Sequence, residues 1–284
     1  MRKTAIYLAL ASGAVALAQA PGDAAAGLQP SATPVTTIRL LTVGNSFSGN
    51  ATKYLGQIVA SVEGCKVVIG RADIGGCTLD KHWTLAEKSA TDPTCKPYTY
   101  VGKTYSLKEM LQLEKWDVVT IQQMSAKSFV EESYQPYADK LYAYIRQHAP
   151  QAKVMIHQTW AYGSANDRLK QWNMTPQQMY DGLSACYQKL AAHLECPLLP
   201  AGAAFQLAQQ KQPDLGLYDS AAYHANDKGC YLAGCVWFGA LFGISPEKVA
   251  FVPKGMTVAE ADFLRQTAAE ALETTRARRR EAAP

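Results

Sequence analysis

Five short apolar runs, each followed by a turn signal and then by a longer stretch of helical periodicity, constrain this chain more than any other feature. The runs span residues 38–43, 65–69, 117–121, 153–156 and 197–199. Helix-period sequence follows at residues 51–62, 134–148, 175–193, 203–210 and 228–242, and a last amphipathic helix is expected over 257–275. Buried strands that alternate with helices imply a parallel sheet covered on both faces. The expected fold class is α/β, a three-layer α/β/α sandwich with a parallel sheet of about five strands. Thr257 with Glu260 three residues on has the pattern of a capping box. Residues 90–106, with Pro93, Pro97 and Gly102 between tyrosine pairs, read as a small surface hairpin insertion.

The length of 284 residues, with 48% hydrophobic, suffices for one sizeable core. The expected organisation is a signal peptide over 1–26, a flexible leader over 27–36, one α/β domain over 37–276 and a basic tail over 277–284. Arg2 and Lys3 precede an apolar run from Ala5 to Ala18, and small residues then offer a cut after Ala26. That run is too short for a membrane span, so export to the periplasm or the medium is expected. A net charge of +4 with a single Arg cluster, Arg276 to Arg280, argues against a nucleic-acid partner.

An exported chain meets an oxidising space, where its seven Cys are expected to form structural pairs with one left over. Their spacings fit no zinc-ligand pattern, and no metal or other cofactor is expected.

In open parallel sheets ligands bind beyond the carboxyl ends of the strands, and four segments place chemistry there. Gly44-Asn45-Ser46-Phe47 follows the first strand, with Gly44 for a tight turn and Ser46 exposed at a helix start. Gly75-Gly76-Cys77 follows the second strand and offers a backbone N–H. Gln122-Gln123 ends the third with two amide side chains, and Tyr223-His224 before the last helices supplies an imidazole. A hydroxyl, an imidazole and convergent N–H donors are the parts of an acyl-transfer site.

Over roughly residues 38–243 this set resembles the SGNH (GDSL-type) hydrolase superfamily, whose fold is flavodoxin-like. Within it the wider string, including His157-Gln158-Thr159-Trp160-Ala161-Tyr162 and Gly229-Cys230-Tyr231-Leu232, resembles a bacterial branch described only as a domain of unknown function. The resemblance implies Ser46 as nucleophile and His224 as its base. It implies an oxyanion hole from the N–H groups of Ser46 and Gly76 and a third, side-chain donor.

The chain departs from the family pattern twice. The Asn that supplies the third donor is missing, leaving Gln122 or Gln123 to present an equivalent amide. Asn166-Asp167 imitates the missing pair but follows the fourth strand, the wrong one. The Asp expected three residues before the histidine is Ala221. Asp219 from a looser loop, Asp227, a backbone carbonyl, or no carboxylate at all are the alternatives for orienting the ring.

His82, Trp83, Trp160 and Tyr162 follow strands on the reactive edge and are candidates for substrate contact, with aromatic faces suited to a sugar ring. His157 reads as a core histidine. The implied activity is hydrolysis of a carboxylic ester, most simply an O-acetyl group on a polysaccharide, without stable membrane insertion. A carbohydrate-binding pseudoenzyme is the alternative from another class, and a lipase or thioesterase would need an apolar lid that the sequence lacks.

Overall fold

The computed structural model describes residues 35–281; the expected signal peptide and nearly all of the leader lie outside them. In chain order the elements are β1 (Thr36–Gly44), α1 (Ser46–Thr52), α2 (Leu55–Ala60), β2 (Cys65–Asp73) and α3 (Leu79–Thr91). The hairpin β3 (Tyr98–Tyr100) and β4 (Lys103–Tyr105) leads to α4 (Leu107–Leu113), β5 (Val118–Ile121), α5 (Tyr137–His148) and β6 (Lys153–His157). The chain continues through α6 (Asp167–Gln171), α7 (Pro176–His193), β7 (Leu198–Leu199), α8 (Ala201–Lys211), α9 (Asp227–Phe242) and α10 (Val258–Glu281).

The five expected strands form one sheet in the order β2-β1-β5-β6-β7, with every neighbouring pair parallel. Helices α1, α2, α8, α9 and α10 pack together in one layer, and α3, α4 and α5 pack together in another. Helix α9 is buried from Gly229 to Gly239, as befits a helix apolar on all sides. Thr257 and Glu260 exchange the expected reciprocal bonds at the start of α10, at 2.8 Å and 3.2 Å. That helix runs on to Glu281 and includes Arg276 to Arg280. Among the described residues no helix is long and apolar enough to cross a membrane.

Some local readings change. Helix α1 begins directly at Ser46, and the segment expected as one helix from 51 is broken into α1 and α2. Strand β2 continues past the apolar run to Asp73, because Gly70 to Asp73 stay in register with Leu41 to Gly44. Residues 79–91, where no helix was expected, form α3, capped by the Thr78 side chain.

The expected disulfides are absent. All seven Cys are unpaired, and all but Cys95 are buried. Cys230 and Cys235 both lie on α9, and five positions at about 100° each turn their side chains some 140° apart. Cys186 lies beside Glu131 and Glu132, whereas Cys196 lies beside Arg279 and Arg146. Shared helix or loop neighbourhood does not put these sulfurs face to face, which a disulfide requires.

Candidate active site

At the end of β1 the chain turns sharply through Gly44 and Asn45 into α1. Asn45 is extended (φ −146°, ψ −158°), and its Oδ1 accepts the Phe47 N–H at 3.1 Å, the geometry of an N-cap. A Cβ at residue 44 would run into Ser48 Oγ and lie 2.9 Å from Gln122 Oε1, so only glycine fits this turn. The Gly44 carbonyl accepts the Ile74 N–H at 3.1 Å and lies 3.0 Å from His82 Nε2. The result is Ser46 as the first helical residue, partly exposed, with its N–H facing away from any helical acceptor.

His224 comes to Ser46 across 178 positions of sequence, with Nε2 2.8 Å from Ser46 Oγ. The histidine rides on a tight hairpin. Tyr218 and Ala225 pair antiparallel, and the Asp219 N–H donates to the His224 carbonyl at 2.9 Å. Closing this loop forces Ala222 to a positive φ of 56°, a strained conformation for a residue with a Cβ. The turn carries Asp219 back behind the ring, where Oδ2 lies 3.6 Å from His224 Nδ1. Its other oxygen accepts the Tyr223 N–H at 3.4 Å. Asp227, the other carboxylate considered, pairs with Lys53 instead.

Partial burial lowers the imidazole pKa below its usual 6.5; the Asp219 charge raises it and that of Arg168 lowers it again. His224 is therefore neutral near pH 7. With Nε2 accepting from the serine hydroxyl, Nδ1 carries the proton and points it at Asp219.

Gly76 sits at the third position of a turn closed by the Cys77 N–H donating to Ile74 O at 3.0 Å, and its φ is +64°. Glycine takes that conformation without strain. Gly75 and Gly76 are exposed at the sheet edge, and the Gly76 N–H has no partner among the described residues.

Neither glutamine supplies the expected third donor in this arrangement. Gln122 is buried: its Oε1 accepts from Ser48 Oγ and lies 3.0 Å from His157 Nδ1, and its Nε2 donates to Asn45 Oδ1 at 2.9 Å. Gln123 is buried too, with Nε2 donating to the Ser133 carbonyl at 2.7 Å and Oε1 accepting the Met124 N–H at 2.8 Å. Both amides are committed to structure. Asn45 completes the net, donating from Nδ2 to the Cys77 carbonyl at 3.0 Å. The serine turn, the Gly76 loop and the ends of β5 and β6 are thereby tied by one chain of side-chain amides. The place of Asn45 beside Ser46 is the signal in the sequence for this role.

Three of the four candidates for substrate contact are withdrawn from solvent, and Trp83 is half-buried. His82 is fully buried, its Nε2–H directed at the Gly44 carbonyl and its Nδ1 2.9 Å from the Tyr98 hydroxyl. Trp83 lies on α3 and packs edge-on against Tyr144 of α5 at 6.0 Å. Trp160 is fully buried between Phe47 and Phe205, with ring centroids 4.6 Å and 4.4 Å away. Tyr162 is fully buried, its hydroxyl 2.8 Å from Ser125 Oγ. Trp160 instead steadies the hairpin that carries His224, donating Nε1–H to the Tyr223 carbonyl at 2.9 Å. The aromatic ring that does border the site is Tyr223, which lies against His224 with centroids 3.9 Å apart. Asn166 serves as the N-cap of α6.

Residues 39–271 match the family described as Domain of unknown function (DUF4886). A crystal structure of a DUF4886 family protein from Bacteroides uniformis superimposes with a TM-score of 0.75 at 28% identity, over 84% of this chain and 95% of that one. An SGNH hydrolase-type protein from Slackia heliotrinireducens superimposes with a TM-score of 0.54 at 20% identity, over 72% of this chain and 100% of that one. No curated protein matches the sequence. The chain belongs to the DUF4886 family and has the α/β fold of the SGNH hydrolases.

Proposed function

We propose that this protein is a serine esterase in which Ser46 attacks a carboxylic ester and His224 is the general base and acid. The observation that carries this reading is the 2.8 Å approach of His224 Nε2 to Ser46 Oγ, with a carboxylate behind the ring. His224 takes the hydroxyl proton as Ser46 Oγ bonds to the ester carbon, and Asp219 stabilises the imidazolium that forms. The Ser46 and Gly76 N–H groups donate to the oxyanion, each such donor being worth about 3 kcal/mol in hydrolases. His224 then protonates the leaving alcohol, and water, deprotonated by the same ring, releases the acid from Ser46.

An O-acyl group on a carbohydrate is the proposed substrate, and export the proposed destination. The N-terminal charge and apolar pattern supports export. For the sugar, support is confined to the partly exposed Tyr223 side chain beside the base, since Trp160 and Tyr162 are core residues. The pseudoenzyme alternative draws on the two-donor oxyanion hole.

Hydrolysis of 4-nitrophenyl acetate by the purified chain and by Ser46→Ala separates the two readings. Turnover lost by at least a hundredfold in the variant supports the esterase. Equal background rates from both proteins, with retained glycan binding, support the pseudoenzyme.

A further inference from the structure

The loop that carries His224 is clasped by a second segment, residues 162–168, and that segment ends in an arginine. The Gly163 N–H donates to the Ala222 carbonyl at 2.8 Å, and Asn166 Nδ2 donates to the Ala221 carbonyl at 2.7 Å. Asn166 Oδ1 in turn accepts the Arg168 N–H at 3.0 Å, fixing the backbone of α6 beside the hairpin. The Arg168 side chain then lies across the ring of Tyr223, with Cζ 5.6 Å from its centroid, and Nη1 is 3.4 Å from the Tyr162 hydroxyl. Tyr223 itself stacks on His224. Arg168 and the His224 imidazole are thus both in contact with the ring of Tyr223.

Arg168 is exposed, and no carboxylate lies within ion-pair distance of it among the described residues. The carboxylates beside it are engaged elsewhere: Asp219 behind His224, and Asp167 with Lys170 at 3.2 Å. A guanidinium has five N–H donors in a fixed fork that matches a carboxylate. Holding one of them against a tyrosine hydroxyl and the group over an aromatic ring restricts the fork and leaves the other donors available. Such a restricted, unpaired fork beside a nucleophile recognises negative charge on what the nucleophile attacks.

We propose that Arg168 is a specificity-determining residue and that the substrate is an ester bearing a carboxylate, such as an acylated acidic sugar or a half-ester of a dicarboxylic acid. This rests on the serine-esterase reading of Ser46 and His224. The carboxylate can belong to the acyl part or to the alcohol part of the ester, and the two are separable by choice of substrate.

The test compares 4-nitrophenyl acetate, which is neutral, with 4-nitrophenyl hemisuccinate, charged on the acyl side, and 4-acetoxybenzoate, charged on the alcohol side. For each, kcat/KM is measured in the full chain and in Arg168→Gln. Any effect of the substitution on His224 is common to the esters and cancels in a ratio. The expected result is that kcat/KM for one charged ester, relative to the neutral one, falls at least tenfold in Arg168→Gln, mainly through KM. Arg168→Lys, which keeps the charge and loses the fork, should recover part of that ratio. Raising the salt concentration should lower the same ratio in the parent chain.

A fluorophosphonate label on Ser46 supplies the independent readout: succinate or glucuronate should slow labelling of the parent chain and not of Arg168→Gln. Labelling that proceeds normally with unchanged ratios in the variant overturns the role of Arg168 and leaves the esterase standing. Absence of labelling in the parent chain overturns both.

Discussion

Asp219 stands 3.6 Å from His224 Nδ1 although it precedes the histidine by five residues and not three. The two extra residues are absorbed by a hairpin in which Asp219 and His224 are joined through backbone, N–H to carbonyl, at 2.9 Å. At 3.6 Å the carboxylate acts on the ring chiefly through its charge, since a good hydrogen bond is shorter.

Two substitutions should move the pH profile in opposite directions. The Asp219 charge raises the His224 pKa and the Arg168 charge lowers it. The base must be neutral to act, so activity is lost as pH falls through its pKa. Asp219→Asn should shift the acid limb of kcat/KM to lower pH, and Arg168→Gln should shift it to higher pH. Asp219→Asn should also reduce kcat by about ten- to a thousandfold, less than the roughly 10⁴ reported for a tightly bonded, buried triad acid, because this carboxylate is partly exposed. Profiles that move together would contradict the assignment.

Gln122 separates a structural amide from an oxyanion donor. Replacing it by Leu strands Ser48 Oγ and His157 Nδ1 and removes one of the two bonds to Asn45 Oδ1. Buried groups left without partners cost about 1–3 kcal/mol each, so a loss of several kcal/mol in unfolding free energy is expected by denaturant titration. A variant of unchanged stability with kcat down a hundredfold would point instead to a direct role at the oxyanion.

Gly76→Ala probes the second donor. A Cβ at residue 76 meets nothing within 4 Å, but its φ of +64° stays unfavourable for alanine. A stability cost of about 1 kcal/mol is expected, with a larger effect on kcat as the peptide rotates to relieve the strain. Equal kcat at reduced melting temperature would remove this N–H from the mechanism.

How much of this was legible in the sequence depends on whether a feature is local. Strand runs separated by helical periods announced the parallel sheet, and Ser46 and Gly76 fell at its edge because turn chemistry marks strand ends, whereas His224 was singled out through the resemblance to the SGNH hydrolases. The destination of the Gln122 and Gln123 amides was not legible, since it is decided by Asn45 and Ser48, His157, and Ser133, from three separate segments. Trp160 and Tyr162 follow a strand and looked available to substrate. Helix α8 brings Phe205 flat against Trp160, at an interplanar angle of 6°, and closes that edge. The reach of Asp219 depends on Ala222 accepting a positive φ, a conformation that composition would assign to glycine or asparagine.

Buried titratable groups predict how stability responds to pH. Burial pulls His82 down to about 4 and His157 to about 3, so both imidazoles are neutral in the folded chain. Unfolded, each protonates near 6.5. Their contribution is whole above that value and is lost as pH falls toward 4, by about 1.4 kcal/mol per unit for each. Asp73 works the other way. Burial, opposed by the Thr42 hydroxyl and the Arg71 charge, pushes its carboxyl up to about 7, and its Oδ2 has no partner. Ionising it is a cost to the fold that grows from pH 3.8 and is complete above pH 7. Asp73→Asn should raise the melting temperature at pH 8 and leave it little changed at pH 4. A decrease at pH 8 would show that the charged carboxylate stabilises the fold.

The most direct measurement is the site of a fluorophosphonate adduct, mapped by peptide mass spectrometry in the parent chain, Ser46→Ala and His224→Ala. The account predicts one adduct, on Ser46, absent from Ser46→Ala and formed at least a hundredfold more slowly in His224→Ala. An adduct on another serine, or labelling of Ser46 at the same rate without the imidazole, would contradict it.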